Sequence, residues 1–226
     1  MFNVKSISTT LSVLAFASAA HAESKFTGVY GGIGAGGRIQ ATKVNAVSPN
    51  NNQSEAFSPS SKGFAGNLFL GYGKTFCCKG PHVGIEILAA LYTGKTKLNQ
   101  IVNGDAQKFS MKNSGAVQLA ARFGYALENL LPYVKVGVDR SKFTLKSFDA
   151  NALAANNDPL NVSKSKTQYA MLLGAGVEAP ITDHVFVGAE YTAVLHKNMT
   201  FKHGVTRTFK TKPTNHALTL RALYRY

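Results

Sequence analysis

The C-terminal residues alternate, with Leu218, Leu220, Ala222, Tyr224 and Tyr226 on one parity and Ala217, Thr219, Arg221, Leu223 and Arg225 on the other. Successive strand side chains point to opposite faces, so this segment has an apolar face ending in an aromatic and a second face carrying arginines. A wall between hydrocarbon outside and a polar interior wants this arrangement.

The same two-residue period predicts seven further strands, each near the 9 to 11 residues that a tilted strand needs to cross a bilayer. They run over Phe26 to Gly37, Phe64 to Phe76, His82 to Tyr92, Ala116 to Tyr125, Pro132 to about Leu145, Gln168 to Glu178 and Val185 to His196, with His216 to Tyr226 as the eighth. In the third, Val83, Ile85, Ile87, Ala89 and Leu91 oppose Gly84, Glu86, Leu88, Ala90 and Tyr92. The fourth sets Val117, Leu119, Ala121, Phe123 and Tyr125 against Gln118, Arg122 and Gly124. In the fifth, Val134, Val136 and Val138 face outward and Lys135 and Asp139 inward; beyond Arg140 the alternation slips, which a bulge explains.

Connections alternate in length. Gln40 to Lys62, Thr96 to Phe109, Lys146 to Lys166 and Lys197 to Asn215 are long and polar, whereas Cys77 to Pro81, Ala126 to Leu131 and Ala179 to His184 are short. Long extracellular loops opposite short periplasmic turns belong to an outer-membrane barrel with both ends on the short-turn side. The fold expected is all-β, an eight-stranded antiparallel up-and-down transmembrane β-barrel.

The N-terminus agrees. Lys5, the apolar run Leu11 to Ala20 and the small-x-small Ala20-His21-Ala22 form a secretory signal peptide over 1–22, leaving 23–226 as the barrel domain. Of 226 residues 16% are charged, with 21 Gly, no Trp and a net charge of +14. Mean hydropathy is near zero, and no apolar run after residue 22 approaches the length of a membrane helix. Only a closed barrel could span.

Three stretches carry a resemblance: GVYGGIGAG at Gly28 to Gly36, LPYV at Leu131 to Val134, and the C-terminal LTLRALYRY. The whole mature chain resembles the small porin-family barrels of Gram-negative bacteria that include the transmembrane domain of OmpA, Opa and Ail. The resemblance implies a surface antigen of the outer membrane acting in adhesion or surface interaction. It also implies that the terminal strand, with Leu218, Leu220, Ala222, Tyr224 and Tyr226 outward, is read by the barrel-assembly machinery.

An eight-stranded barrel is filled by side chains. Glu86, Asp139, Glu178 and Glu190 fall on the inward face with Arg122, Lys135, Arg221 and Arg225, four acids against four bases. Lone charges in a low-dielectric interior are costly, so these groups are expected to pair as a salt-bridge network that plugs the lumen. The rival use is a gate that opens a narrow path for ions or small solutes when partners exchange.

Catalysis finds little support. None of His82, His184, His196, His203 and His216 has a Ser two residues away, and no nucleophile motif stands out for acyl chemistry on lipid A. His196 and His203 lie at the base and tip of one loop with no acid between them, a poor ligand set, and read as rim and loop histidines. No enzyme, metal or cofactor is expected. Adjacent Cys77 and Cys78 lack Cys-x-x-Cys spacing, so no redox role is assigned; free thiols and an intermolecular bridge are both open.

The fourth loop holds Lys197, Lys202, Arg207, Lys210 and Lys212 and no acid, with Phe201 and Phe209 interleaved; Phe201 to Phe209 extends the hairpin, turning near His203-Gly204. Phosphates of the surrounding lipopolysaccharide are its natural neighbours, and a sulfated host polysaccharide is the sharper alternative. Nucleic acid is excluded as a partner by the location. The expected function is therefore non-enzymatic, in envelope integrity and adhesion, against a narrow porin-like channel and a soluble lipocalin-like carrier. The carrier family's opening Gly-x-Trp motif is missing from this Trp-free chain.

Overall fold

A computed structural model describes residues 24–47, 54–57, 60–76, 79–94, 96–102, 105–149, 162–203 and 207–226. The expected signal peptide and the Cys77-Cys78 pair lie outside the described residues.

Among the described residues every regular element is a strand: β1 (Gly28–Val47), β2 (Ser54–Phe57), β3 (Ser60–Thr75), β4 (Gly80–Tyr92), β5 (Thr96–Val102), β6 (Asp105–Ala126), β7 (Leu131–Asp149), β8 (Val162–Pro180), β9 (Val185–His196), β10 (Met199–His203) and β11 (Arg207–Arg225). The eight long strands pair antiparallel around a ring, and β11 closes on β1 in continuous register from Tyr30↔Arg225 to Val47↔Thr208. Closure gives each backbone N–H and C=O a partner on a neighbouring strand, the condition for crossing hydrocarbon with sheet.

Sidedness follows the alternation. Ile33, Leu68, Leu91, Leu218 and Leu220 point outward and are each 60% or more exposed, while Tyr30, Leu172 and Phe186 point inward and are fully buried. Such an inversion would be unfavourable in water and is favourable in lipid, where the outward apolar side chains have hydrocarbon neighbours. The short turns gather at one end. They are tied by Phe76 N donating to Pro81 O (2.9 Å), Leu127 N to Leu130 O (2.8 Å) and Ile181 N to Val185 O (2.8 Å).

Two departures from the alternation argument concern the upper wall. First, much of the sequence expected as long loops is strand, because β1, β6, β7, β8 and β11 each run 19 to 22 residues. The fourth-loop hairpin forms with Phe201 opposite Phe209, and its turn, 204–206, lies outside the described residues. Second, the irregularity is on β6 rather than β7. Asn113 faces Phe143 but Ala116 faces Ser141, so three steps on β6 span two on β7. That is a bulge at Ser114-Gly115, and β7 alternates without interruption as far as buried Phe143.

Pairing between β8 and β9 stops at Ala170↔His196, and between β4 and β6 at Leu91↔Gly115. Above these points the wall divides into two ribbons, β5–β6–β7–β8 and β10–β11–β1–β2. One side-chain bond crosses the gap at its base, from Gln168 Nε2 to Lys197 O (2.9 Å).

Candidate functional site in the barrel lumen

Seven of the eight inward charges converge in one layer. Glu86 on β4 accepts from Arg221 Nη2 (2.6 Å), Lys135 Nζ (3.1 Å) and Arg122 Nη1 (3.4 Å). Glu190 on β9 accepts from Lys135 Nζ (2.7 Å) and from Arg221 Nη1. Glu178 on β8 takes Arg122 Nη2 (2.7 Å) and Arg225 Nη2 (3.3 Å). Six strands contribute, so the cluster exists only when the ring has closed.

Two tyrosines complete the layer. Arg122 Nη1 donates to Tyr30 Oη (2.8 Å), which donates to Glu86 Oε2 (3.2 Å). Arg221 Nη1 donates to Tyr133 Oη (3.2 Å), which donates to Glu190 Oε2 (2.9 Å). Both rings fit because glycine faces them: a Cβ at Gly71 would lie 2.4 Å from the Tyr30 ring, and one at Gly176 would lie 2.5 Å from Tyr133 Oη. The guanidiniums also stack, Arg122 3.8 Å from the Tyr133 centroid and Arg221 3.8 Å from that of Phe69.

Below this layer the periplasmic mouth is filled by buried Phe26, Leu131, Phe186 and Leu223. Arg225 Nη1 donates to the Phe26 carbonyl, tying the segment before the first strand into the plug. His82 sits at the same end with Nδ1 3.0 Å from Thr75 Oγ1.

Asp139, grouped with the other charges by sequence parity, stands in a separate upper layer. Its carboxylate accepts from Gln118 Nε2 (2.9 Å) and from Ser141 Oγ, and His196 Nε2 lies 3.8 Å away. Ala120, Ala170, Leu172 and Val194 form an apolar cluster in this upper part of the lumen. Arg38 is buried in the same upper part, its guanidinium 4.3 Å from the Tyr92 centroid, bonded to Gln40 and to Asn215 Oδ1 (3.3 Å). Counting Arg38, five buried cations face four buried carboxylates among the described residues.

His196 is a correction: expected at the rim, it is buried and packs edge-on against Phe143 at 4.9 Å. Ser141, Asp139 and His196 do not make a hydrolytic triad. A nucleophilic serine gives its proton to imidazole with the acid behind the ring, whereas here the acid stands in the middle. His184 is at the periplasmic rim against Arg225 O, and His216 is bonded on the outer face to Tyr191 Oη (2.7 Å). Among the described residues no three His, Cys, Asp or Glu side chains gather as a metal site.

Of the fourth-loop cations, Lys197 and Lys212 are exposed, while Lys202, Arg207 and Lys210 occupy paired positions on β10 and β11 and their side chains lie outside the described residues. Leu218, Leu220, Ala222, Tyr224 and Tyr226 all face outward on β11 and its terminus.

Residues 8–226 match the family described as outer membrane protein beta-barrel domain. No curated protein matches the chain. The outer membrane protein OprG from Pseudomonas aeruginosa is similar in fold, with a TM-score of 0.55 at 13% identity over 90% of this chain and 99% of that one. Ail, the attachment invasion locus protein of Yersinia pestis, in complex with the heparin analogue sucrose octasulfate, matches at a TM-score of 0.40 and 14% identity over 86% and 99%. The outer membrane protease OmpT from Escherichia coli matches at 0.48 and 8% over 88% and 97%. With an apolar exterior, a closed eight-stranded ring and a family match over nearly its whole length, the chain belongs to the outer-membrane β-barrel domain family and resides in the Gram-negative outer membrane.

Proposed function

We propose that this protein is a sealed, non-enzymatic barrel whose activity is surface interaction through its extracellular strands and loops, with a contribution to envelope integrity. One observation supports this most: the side chains crossing the lumen, Arg122, Glu178 and Phe186 among them, have no water-accessible surface. Water must reach a general acid or a conduction path, and it does not reach these groups. The outward apolar faces also remove the soluble-carrier alternative, whose exterior has to be polar.

The surface chemistry is cationic. Residues 197–212 carry five Lys or Arg and no acid on the β10–β11 hairpin, a charge pattern suited to sulfated polysaccharide and to lipopolysaccharide phosphate. The test uses the full chain reconstituted in planar bilayers and, separately, immobilised heparin. Wild type is expected to give no discrete conductance steps and to bind heparin in a salt-sensitive way. Exchanging Lys197, Lys202, Arg207, Lys210 and Lys212 for Gln should abolish that binding. Stable wild-type conductance would favour the narrow-channel reading, and undiminished heparin binding by the variant would remove the hairpin from the account.

A further inference from the structure

Among the described residues of the wall above the apolar band, cations occupy outward positions and acids do not. On β7 the outward sequence Val134, Val136, Val138 is followed by Arg140 and Lys142; on β3 outward Phe64 is followed by Lys62; on β11 Leu220 and Leu218 give way, past His216, to Lys212. Lys112 on β6 takes the outward position facing Thr144, diagonal to Lys142 on β7. Lys62, Lys112, Arg140, Lys142 and Lys212 are all exposed.

Register extends the pattern. Lys43 on β1 stands opposite Lys212, and Lys97, Lys108 and Lys146 share the outward parity on β5, β6 and β7. Lys202 and Lys210 do so on the β10–β11 hairpin. The acids of the same ribbons go the other way. Glu55 pairs with Ala46, Asp105 with Val102 and Asp149 with Gln107, all at lumen-side positions. Among the described residues of these ribbons no Asp or Glu has outward parity.

Like charges opposite one another on a sheet face repel, so an outer face of cations alone costs stability unless anions lie against it. At the far rim exposed Lys25 and Lys79 are paired with Asp183 (3.7 Å) and Glu128 (3.1 Å), while exposed Lys74 on β3 has no ion pair among the described residues. Among the described residues none of the five exposed upper cations forms an ion pair. Their height is fixed by the chain itself, one to three outward positions above the last lipid-facing residue. In an outer membrane that is the level of the outer-leaflet headgroups.

We propose that this outward collar of lysine and arginine binds the phosphate groups of the glycolipid surrounding the barrel, laterally and at headgroup height, sharing Lys202, Lys210 and Lys212 with the hairpin and extending round the wall beyond it to Lys62, Lys112, Arg140 and Lys142. The inference rests on the outer-membrane assignment and does not require the surface-interaction role. Charge-assisted bonds from Lys and Arg to phosphate oxygens supply the recognition.

The full-length protein in phosphatidylcholine nanodiscs, with bisphosphoryl lipid A added, provides the test, native mass spectrometry counting the lipid A retained. The triple variant Lys112→Gln, Arg140→Gln, Lys142→Gln is compared with Lys164→Gln, Lys166→Gln, which removes charge from lumen-side positions of β8. Heat-modifiable gel mobility establishes that each variant is folded. The collar variant should hold lipid A roughly tenfold or more weakly while the β8 variant retains it. Changing to monophosphoryl lipid A should weaken wild type and leave the collar variant unaffected. Undiminished retention by the collar variant, or an equal loss in both variants, overturns the proposal. The heparin measurement on the hairpin variant is read independently, so either idea can fail alone.

Discussion

Glu86 receives three cations and a phenol inside a barrel, so it is the charge whose loss leaves most uncompensated. Removing one partner from a buried ionic group typically costs about 3–5 kcal/mol because the remaining charges stay desolvated. Glu86→Ala is therefore expected to lower unfolding stability in detergent by about that amount, read from urea titration of heat-modifiable mobility. Adding Arg221→Met to Glu86→Ala should recover part of the loss, since it removes a cation the first change stranded; simple additivity of the two losses would show that they act separately. The lumen's charged residues were legible from parity, because each lies an even number of positions from a neighbour of known sidedness. Arg38 was not, for a physical reason. Gly28 to Gly37 is too rich in glycine to show which parity faces the lumen, and the strand was expected to stop there, although Arg38, Ile39, Gln40, Ala41 and Thr42 alternate polar and apolar and continue it.

At the scale of elements, the bulge at Ser114-Gly115 determines which side chains of upper β6 face out. Its extra residue puts Asn113 inside and Lys112 outside, where unbroken alternation through Ser114 would exchange them; deleting Ser114 removes the bulge and leaves Asn113 opposite Phe143 by plain alternation, so both side chains should keep their faces. The check is a single cysteine at position 112 with Cys77 and Cys78 changed to Ser. A membrane-impermeant maleimide should label it in the folded barrel and label it equally when Ser114 is deleted; labelling lost on deletion would mean that the extra residue is not absorbed at Ser114-Gly115. Glycine imposes a second element-level constraint. Gly71→Val would drive a side chain into the Tyr30 ring, and overpacking of this kind costs about 1–3 kcal/mol, visible as a lowered thermal midpoint. All eight barrel strands could be read from alternation, since their outward faces meet hydrocarbon and tolerate no polar residue. The upper continuations could not. There both faces meet water or polar groups, the alternation loses its hydrophobic contrast, and strand and loop compositions coincide. The bulge was misplaced onto β7 for the same reason: a register shift involves a strand pair, and one strand's pattern does not say which partner holds the extra residue.

Across the whole molecule the lumen is blocked in series, by Phe26, Leu131, Phe186 and Leu223 at the periplasmic mouth and by the ionic layer above them. The two blocks differ in what sustains them. The apolar plug relies on packing, and truncating Phe26 and Phe186 together would leave a cavity that the arginine layer still closes from above. The ionic layer relies on mutual compensation, so it opens only if charges are removed in matched pairs. The two blocks thus lead to unequal outcomes in planar bilayers. Phe26→Ala with Phe186→Ala should stay silent, as should Arg122→Ala with Glu178→Ala alone, because each leaves the other barrier intact. The quadruple variant should show discrete steps that depend on ionic strength, with a conductance below that of a wide porin because the ring stays eight strands around. Steps from either double variant would show that one layer alone seals the barrel, and silence from the folded quadruple variant would place a further block in the upper lumen, where Arg38, Gln118, Asp139 and His196 stand.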